Sequence, residues 1–390
     1  MRPEFRVGVA YDFRNPIKYE SLHFGQSIKR KFSNHYIQKK VPLMPRLLQY
    51  GKSGLRVSRL CLGTMNFGIP GHGVHGSWTL PIDEARPIFK SAIELGINYF
   101  DCANTYGLGA CEEVVGTLLR ELLPRDEYVL STKFAMPMGT GANQGGLSRK
   151  HIMESMDASL KRLGLDYVDQ IIIHRHPHTI PNSAHAPLEE MMEALHDIVK
   201  AGKALYLGAS SMYTWQFVEL QMLAKLHGWT QFISMQNHYN LIYREEEREM
   251  HPYCTKTGVA VTPWSPLARG MLAGSYKGGL DAGATTRSQG RDAERAKGLY
   301  QGENDFDIVA RVGEVAERLG HTPAQIAIAW MLSKPVITAP IVGVSKLAQL
   351  DQLAAATEIE LPADDITYLE ELYRPVHNIL DQEKPLSVPR

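Results

Sequence analysis

Cysteine is scarce in this 390-residue chain, with four in all: Cys61, Cys102, Cys111 and Cys254. No C-x-x-C pair occurs among them, which argues against a disulfide framework and against a zinc finger, and suits a reducing, cytoplasmic compartment. Long apolar runs are missing too. No stretch of about 18 apolar residues is present, so no transmembrane helix is expected. Net charge is zero, with 42 basic and 42 acidic residues. The balance hides an asymmetry, since residues 1–43 hold nine Lys/Arg against three Asp/Glu. The remainder carries no strong basic patch, so neither nucleic acid nor membrane is an expected partner. Low-complexity segments and internal repeats are also absent.

What is present is alternation. Residues 1–43 have no sustained period and read as an extension outside the fold, with residues 44–390 forming the domain. Glu4, Asp12 and Glu20 interrupt any transit-peptide pattern. Leu47 to Val57 reads as a hairpin turning at Gly51-Lys52-Ser53-Gly54. Strands follow at Arg59–Thr64, Ile97–Asp101, Tyr128–Lys133, Tyr167–His174, Ala204–Gly208, Ile233–Gln236, Val259–Thr262 and Val336–Val342. Helical patterns separate them: Asp83 (as N-cap) to Leu95, Ala110–Leu123, Ser148–Leu163, Leu188–Lys200, Trp215–Leu226, Glu245–Thr255 and Pro323–Leu332. Lys346–Ala355 and Asp364–Leu372 close the series. Gly96 and Gly164 stop two of the helices. Tyr276 to Asn304 is glycine-rich and charged and reads as a long loop, in which Arg287 could latch over a ligand. Ile171-Ile172-Ile173, apolar on both faces, marks a strand buried in a parallel sheet. Eight strand–helix units point to an α/β fold, a (β/α)8 TIM barrel with an N-terminal hairpin and a C-terminal helix.

Active residues in such a barrel collect at the C-terminal ends of the strands. Asp101 ends the second strand, Lys133 closes the third and His174 the fourth, while Tyr106 stands in the loop after Asp101. A buried lysine needs a partner, and Asp101 is placed to be it. A cation beside a phenol favours phenolate and lowers a pKa that starts near 10. Such a tyrosine can give a proton to a developing alkoxide and take it back in reverse. Neutral His174 can orient the same oxygen. Each of these residues alone could equally be structural, as an ion pair or a satisfied core histidine. All four at successive strand ends favour chemistry.

Several ordered motifs resemble the aldo-keto reductases: Asn98-Tyr99-Phe100-Asp101 through Tyr106-Gly107, Ser131-Thr132-Lys133, Asp166-Tyr167-Val168-Asp169 through His174-Arg175, Gly208-Ala209-Ser210 and Ser265-Pro266-Leu267. The resemblance runs from about Arg46 to Tyr373. Arg244 to Glu249 and Trp264 to Gly270 look most like the long-chain aryl-alcohol dehydrogenase group. This resemblance implies a tetrad of Asp101, Tyr106, Lys133 and His174, with Tyr106 as the acid. It implies NADPH (NADP+) across the barrel mouth and a small carbonyl or alcohol substrate, with no metal required. Trp264 would stack on the nicotinamide, with Ser210 and Gln236 on its carboxamide. Gly63, Thr64, Met65 and Asp101 would complete that end. Ser265, Pro266, Leu267 and Arg269 would meet the pyrophosphate. Gly343, Ser345 and Lys346 would hold the 2′-phosphate, with Gln349 and Gln352 near the adenine. Ser345-Lys346 also opens a helix after the last strand, where N–H groups, a hydroxyl and a cation face an anion; N-capping by Ser345 is the competing account. Trp78, Phe134 and His174 would line the substrate pocket, and Trp78, Met136 and Met138 suggest an apolar ligand.

Three positions depart from the family pattern. Ser211 and Leu353 stand where many relatives have asparagine, and Cys102 replaces a common threonine, reading as packing rather than a reactive thiol. Gly107-Leu108-Gly109 lacks the third glycine of a dinucleotide fingerprint. Two other functions compete. One is an NADPH-binding regulatory subunit with little turnover. The other is a metal-dependent hydrolase on the same barrel, built on the alternating histidines of His174-Arg175-His176-Pro177-His178.

Overall fold

The computed structural model describes residues 47–73, 78–180, 186–276, 291–376 and 378. The N-terminal extension at 1–43 and Arg287 lie outside the described residues. Strands β1 (Leu48–Gln49) and β2 (Arg56–Val57) form the expected hairpin, antiparallel with Leu48 opposite Val57. Its turn needs glycine. Gly51 sits at φ +59, and a side chain there would meet the Gly258 carbonyl at 2.6 Å.

The eight barrel strands are β3 (Cys61–Gly63), β4 (Tyr99–Asp101), β5 (Val129–Phe134), β6 (Val168–Ile173), β7 (Ala204–Ser210), β8 (Phe232–Gln236), β9 (Ala260–Val261) and β10 (Ile341–Val342). All neighbours pair in parallel, in the order β10-β3-β4-β5-β6-β7-β8-β9. The ends of this ladder meet: Thr338 N–H donates to the Val261 carbonyl and Ile341 N–H to that of Pro263, both at 2.9 Å. This is the α/β barrel the alternation implies. All six residues of β6 are buried, as its two apolar faces require.

Helices α1 (Ile82–Glu94), α2 (Ala110–Leu122), α3 (Arg149–Leu163), α4 (Leu188–Lys200), α5 (Thr214–His227) and α6 (Met250–Thr257) fill the first six connections. Three end on glycines at positive φ, Gly164, Gly228 and Gly258, the left-handed stop that glycine adopts freely. The connection from β9 to β10 carries three more: α7 (Arg291–Leu299), α8 (Asp305–Leu319) and α9 (Pro323–Leu332). Helices α10 (Leu347–Ala355) and α11 (Ala363–Glu370) finish the chain. None of the helices among the described residues is long and apolar enough to cross a membrane.

Several elements differ from the sequence expectation. Asp83 is not an N-cap. The helix starts after Pro81, whose φ of −70° suits that position, and Asp83 lies in the first turn near the positive helix end. The patterned stretch at Glu245–Thr255 splits into a 3-10 turn, Glu245–Glu247, and α6. Pro252 lacks the N–H an uninterrupted helix would use there. Part of the expected loop at Tyr276–Asn304 is helix α7, and α8 was not anticipated. The last strand is two residues long because Pro340 cannot donate to the ladder.

Candidate active site

The alternation of β5 determines what enters the barrel. Ser131 and Lys133 point inward, while Thr132 turns to the helix layer, where its hydroxyl meets Glu112 of α2 at 2.6 Å. Lys133 Nζ lies 2.5 Å from Asp101 Oδ2 and 2.7 Å from the Cys102 carbonyl. Asp101 Oδ1 accepts from Ser131 Oγ at 2.8 Å and from Gln236 Nε2 at 3.0 Å. The lysine is fully buried and its partner nearly so. Burial alone would push the ammonium down; Asp101 and Tyr106 more than offset that and hold it above its ordinary range.

Tyr106 reaches the same cation from the loop after β4, its hydroxyl 3.2 Å from Lys133 Nζ. Here the expected direction is reversed. Burial raises the phenol above its ordinary pKa, although Lys133 pulls it down. The lysine's charge is engaged at closer range by Asp101, so its effect on the phenol is the smaller one. Tyr106 is therefore a protonated donor at neutral pH. His174 directly follows β6, with its ring edge-on to Tyr106, centroids 6.0 Å apart, and its buried Nδ1 has no hydrogen-bond partner among the described residues. Burial, then Lys133, Arg175 and Arg295, hold its pKa well below the ordinary value, so the ring is neutral.

Asp101, Tyr106 and His174 open onto a cavity of about 1070 Å³ at the C-terminal ends of the strands. Every residue expected at a cofactor lines this one cavity, from Gly63, Thr64 and Met65 through Ser210, Gln236 and Trp264 to Gly343, Ser345, Lys346, Gln349 and Gln352. Trp78 and Met136 line it as well. Phe134 does not. It follows Lys133, so it faces the helices and is fully buried in the hydrophobic core. Met138 is likewise not among the lining residues.

Trp264 is fixed from two sides. Its Nε1–H donates to Ser211 Oγ at 2.9 Å, and the His238 ring packs 4.2 Å from the indole. Ser211, the position that departs from asparagine, is thus engaged by the indole, and its backbone adopts φ +46. His238 was not singled out by the sequence reading. It is buried, and burial with Arg269 nearby keeps it neutral.

At the other end, Ser345 is not the N-cap of α10; Lys346 is. Gln349 Oε1 accepts from Ser345 N–H (2.9 Å), Ser345 Oγ (3.3 Å) and Lys346 N–H (3.1 Å). A side-chain oxygen thus sits on three donors beside a lysine, the arrangement an oxyanion of a phosphate would take. That donor set suits a phosphorylated dinucleotide.

Cys102 is fully buried, its Sγ 3.4 Å from Cys111 Sγ, and burial raises its thiol pKa well above the ordinary value. His176 is also buried, held to about 3 by burial with His178 adding to the effect. Its ring packs on those of His178 and Trp215. Among the described residues no group of three or more His, Cys, Asp or Glu is arranged to hold a metal.

Residues 59–374 match the model of the aldo/keto reductase family. A Schizosaccharomyces pombe protein provisionally named an aryl-alcohol dehydrogenase is 43% identical, covering 84% of this chain and 95% of its own. Versiconal hemiacetal acetate reductase of Aspergillus parasiticus is 41% identical over 83% of this chain and 96% of its own. An aldo-keto reductase of Metarhizium robertsii is 40% identical, covering 84% and 91%.

Proposed function

The chain belongs to the aldo/keto reductase family, and from that premise we propose an NADPH-dependent oxidoreductase that reduces aldehydes or ketones, or oxidises aryl alcohols in reverse, with Tyr106 as general acid. One observation carries this reading: Lys133 touches both Asp101 and the Tyr106 hydroxyl at the base of the cavity.

A bound nicotinamide would supply the hydride to the carbonyl carbon. As charge builds on the carbonyl oxygen, Tyr106 passes its proton to it, and the phenolate left behind is stabilised by Lys133. Asp101 fixes the lysine and keeps it charged; Ser131 and Gln236 fix Asp101 in turn. Gln236 donates its amide N–H to Asp101, which leaves its carbonyl oxygen as the group for a carboxamide. His174, neutral, orients the substrate oxygen. Trp264, braced by Ser211 and His238, offers a flat face for the nicotinamide. Arg269 and Lys346 supply charge for the phosphates.

The test is direct. Purified protein with NADPH and 4-nitrobenzaldehyde should oxidise NADPH, seen as loss of its near-ultraviolet absorbance. Tight NADPH binding without turnover of any aldehyde or ketone would point instead to a regulatory nucleotide-binding subunit. No binding at all would overturn both readings.

A further inference from the structure

We propose that the outward face of α5 is a contact surface for a second copy of this chain, packed antiparallel about a two-fold axis at Met222. The proposal is independent of the reductase reading, since none of the residues it uses lines the cavity.

Nine large apolar side chains are exposed among the described residues, and three of them, Trp215, Met222 and Leu226, belong to α5. No two of the other six share an element, and scattered exposure of that kind is ordinary for a protein surface. At about 100° per residue, Trp215, Met222 and Leu226 fall within about 40° of one another around the helix. They are 58%, 57% and 78% exposed. Half-buried Val218 continues the stripe. The inward face of the same helix is already filled, with Phe217, Leu220 and Ala224 buried in the core. So α5 is apolar on two sides and covered on one, whereas a helix apolar all round belongs in an interior. A contiguous apolar patch of this kind marks a contact surface. Trp215 is held in place for it: its ring stacks on Tyr213 and packs against His176, with centroids 6.5 Å apart in both pairs.

The charges beside the stripe favour a second copy. Glu219 and Lys225 stand three residues before and three after Met222, both exposed, on either flank of it. An antiparallel copy crossing at Met222 brings Glu219 of each chain level with Lys225 of the other, so opposite charges meet at both ends of the seam. An in-register parallel copy would set Glu219 level with Glu219 and Lys225 level with Lys225, like charge against like. The chain's net charge of zero raises no long-range repulsion between copies. From Trp215 to Leu226 the stripe is about 16 Å long. That is short for an interface of standard size, so the dimer is a weak one, with dissociation on the order of micromolar.

Sedimentation velocity of the full-length protein, from about 1 to about 100 μM, tests this. The mean mass should rise from one chain toward two across that range. Met222→Lys sets two cations together at the axis and should keep the protein a single chain throughout, with its circular dichroism unchanged; Leu226→Lys gives the same reading if Met222→Lys fails to fold. Glu219→Lys should weaken self-association by about ten-fold or more, and adding Lys225→Glu should restore it, because the pairs are then reversed rather than lost. A protein that stays a single chain at about 100 μM overturns the proposal and leaves the stripe to some other partner. A dimer that neither lysine substitution disturbs also overturns it, by placing the contact on another face. Weakening in Glu219→Lys that Lys225→Glu does not repair would overturn the antiparallel crossing.

Discussion

Lys133 Nζ lies 2.5 Å from Asp101 Oδ2, with both side chains almost entirely out of water. Two opposite charges so placed stabilise each other, and removing one strands the other. Asp101→Asn should therefore destabilise the fold by about 3 kcal/mol or more, read from urea unfolding. Asp101→Asn with Lys133→Met should recover much of that stability, because no buried charge is left unpaired, yet kcat should stay low. Recovery of activity with stability would show that the pair is structural only.

Tyr106→Phe removes the hydroxyl through which Lys133 meets the cavity. Loss of general-acid catalysis should lower kcat by about 100-fold or more. NADPH affinity, followed by quenching of protein fluorescence, should stay close to its original value. A near-normal rate would refute the assigned role.

Lys346→Ala should weaken NADPH by about ten-fold while NADH changes little, since only NADPH carries the 2′-phosphate. The difference should narrow at high salt, because Lys346 is exposed. Equal losses for the two nucleotides would move the 2′-phosphate elsewhere.

The barrel was readable in the chain because strands buried on both faces and glycine-stopped helices leave strong local marks. Ile171-Ile172-Ile173 and Gly164 are examples. The tetrad was readable for a related reason: a polar residue ending an apolar strand is conspicuous. Helix α8 was not read, although Ile308, Val312, Val315 and Ala316 share one buried face. A pattern of one helix per strand leaves no place for it between β9 and β10. The direction of the Tyr106 shift was also not legible. It depends on how strongly burial competes with a lysine already committed to Asp101, and strand-end positions do not carry that balance. Nor could the sequence show Ser211 meeting the Trp264 indole, since the two residues come from different strands' loops.

Neutral His174 carries a pH consequence. Its pKa is held well below the ordinary range, so kcat/KM should show no acid limb near 6.5 from this group. A limb there that disappears in His174→Gln would contradict a ring held neutral.

Glu246 supplies a stability test away from the chemistry. Burial pushes its carboxyl from 4.5 up to about 7, with Glu245 adding and Asn237 opposing. A carboxyl raised on folding favours the fold below its unfolded value, and that contribution is lost as pH rises through about 7. Glu246→Gln should therefore be more stable than the unaltered protein at pH 8, by up to about 3 kcal/mol. The two should converge near pH 4.5. Urea midpoints at both pH values check the sign.

The hairpin ahead of the barrel bears on the order in which the protein can be assembled. Tyr50 lies buried against Tyr99, hydroxyls 3.0 Å apart, and donates to Gln170 Oε1 at 3.2 Å, while Lys52 N–H bonds the Gly258 carbonyl at 2.8 Å. During synthesis the hairpin is made first, but its partners are made progressively later, the last about two hundred residues on. It must wait for them until Gly258 has been made. Such distant contacts slow folding, so the floor of the barrel closes later than the strands and helices that need only their neighbours.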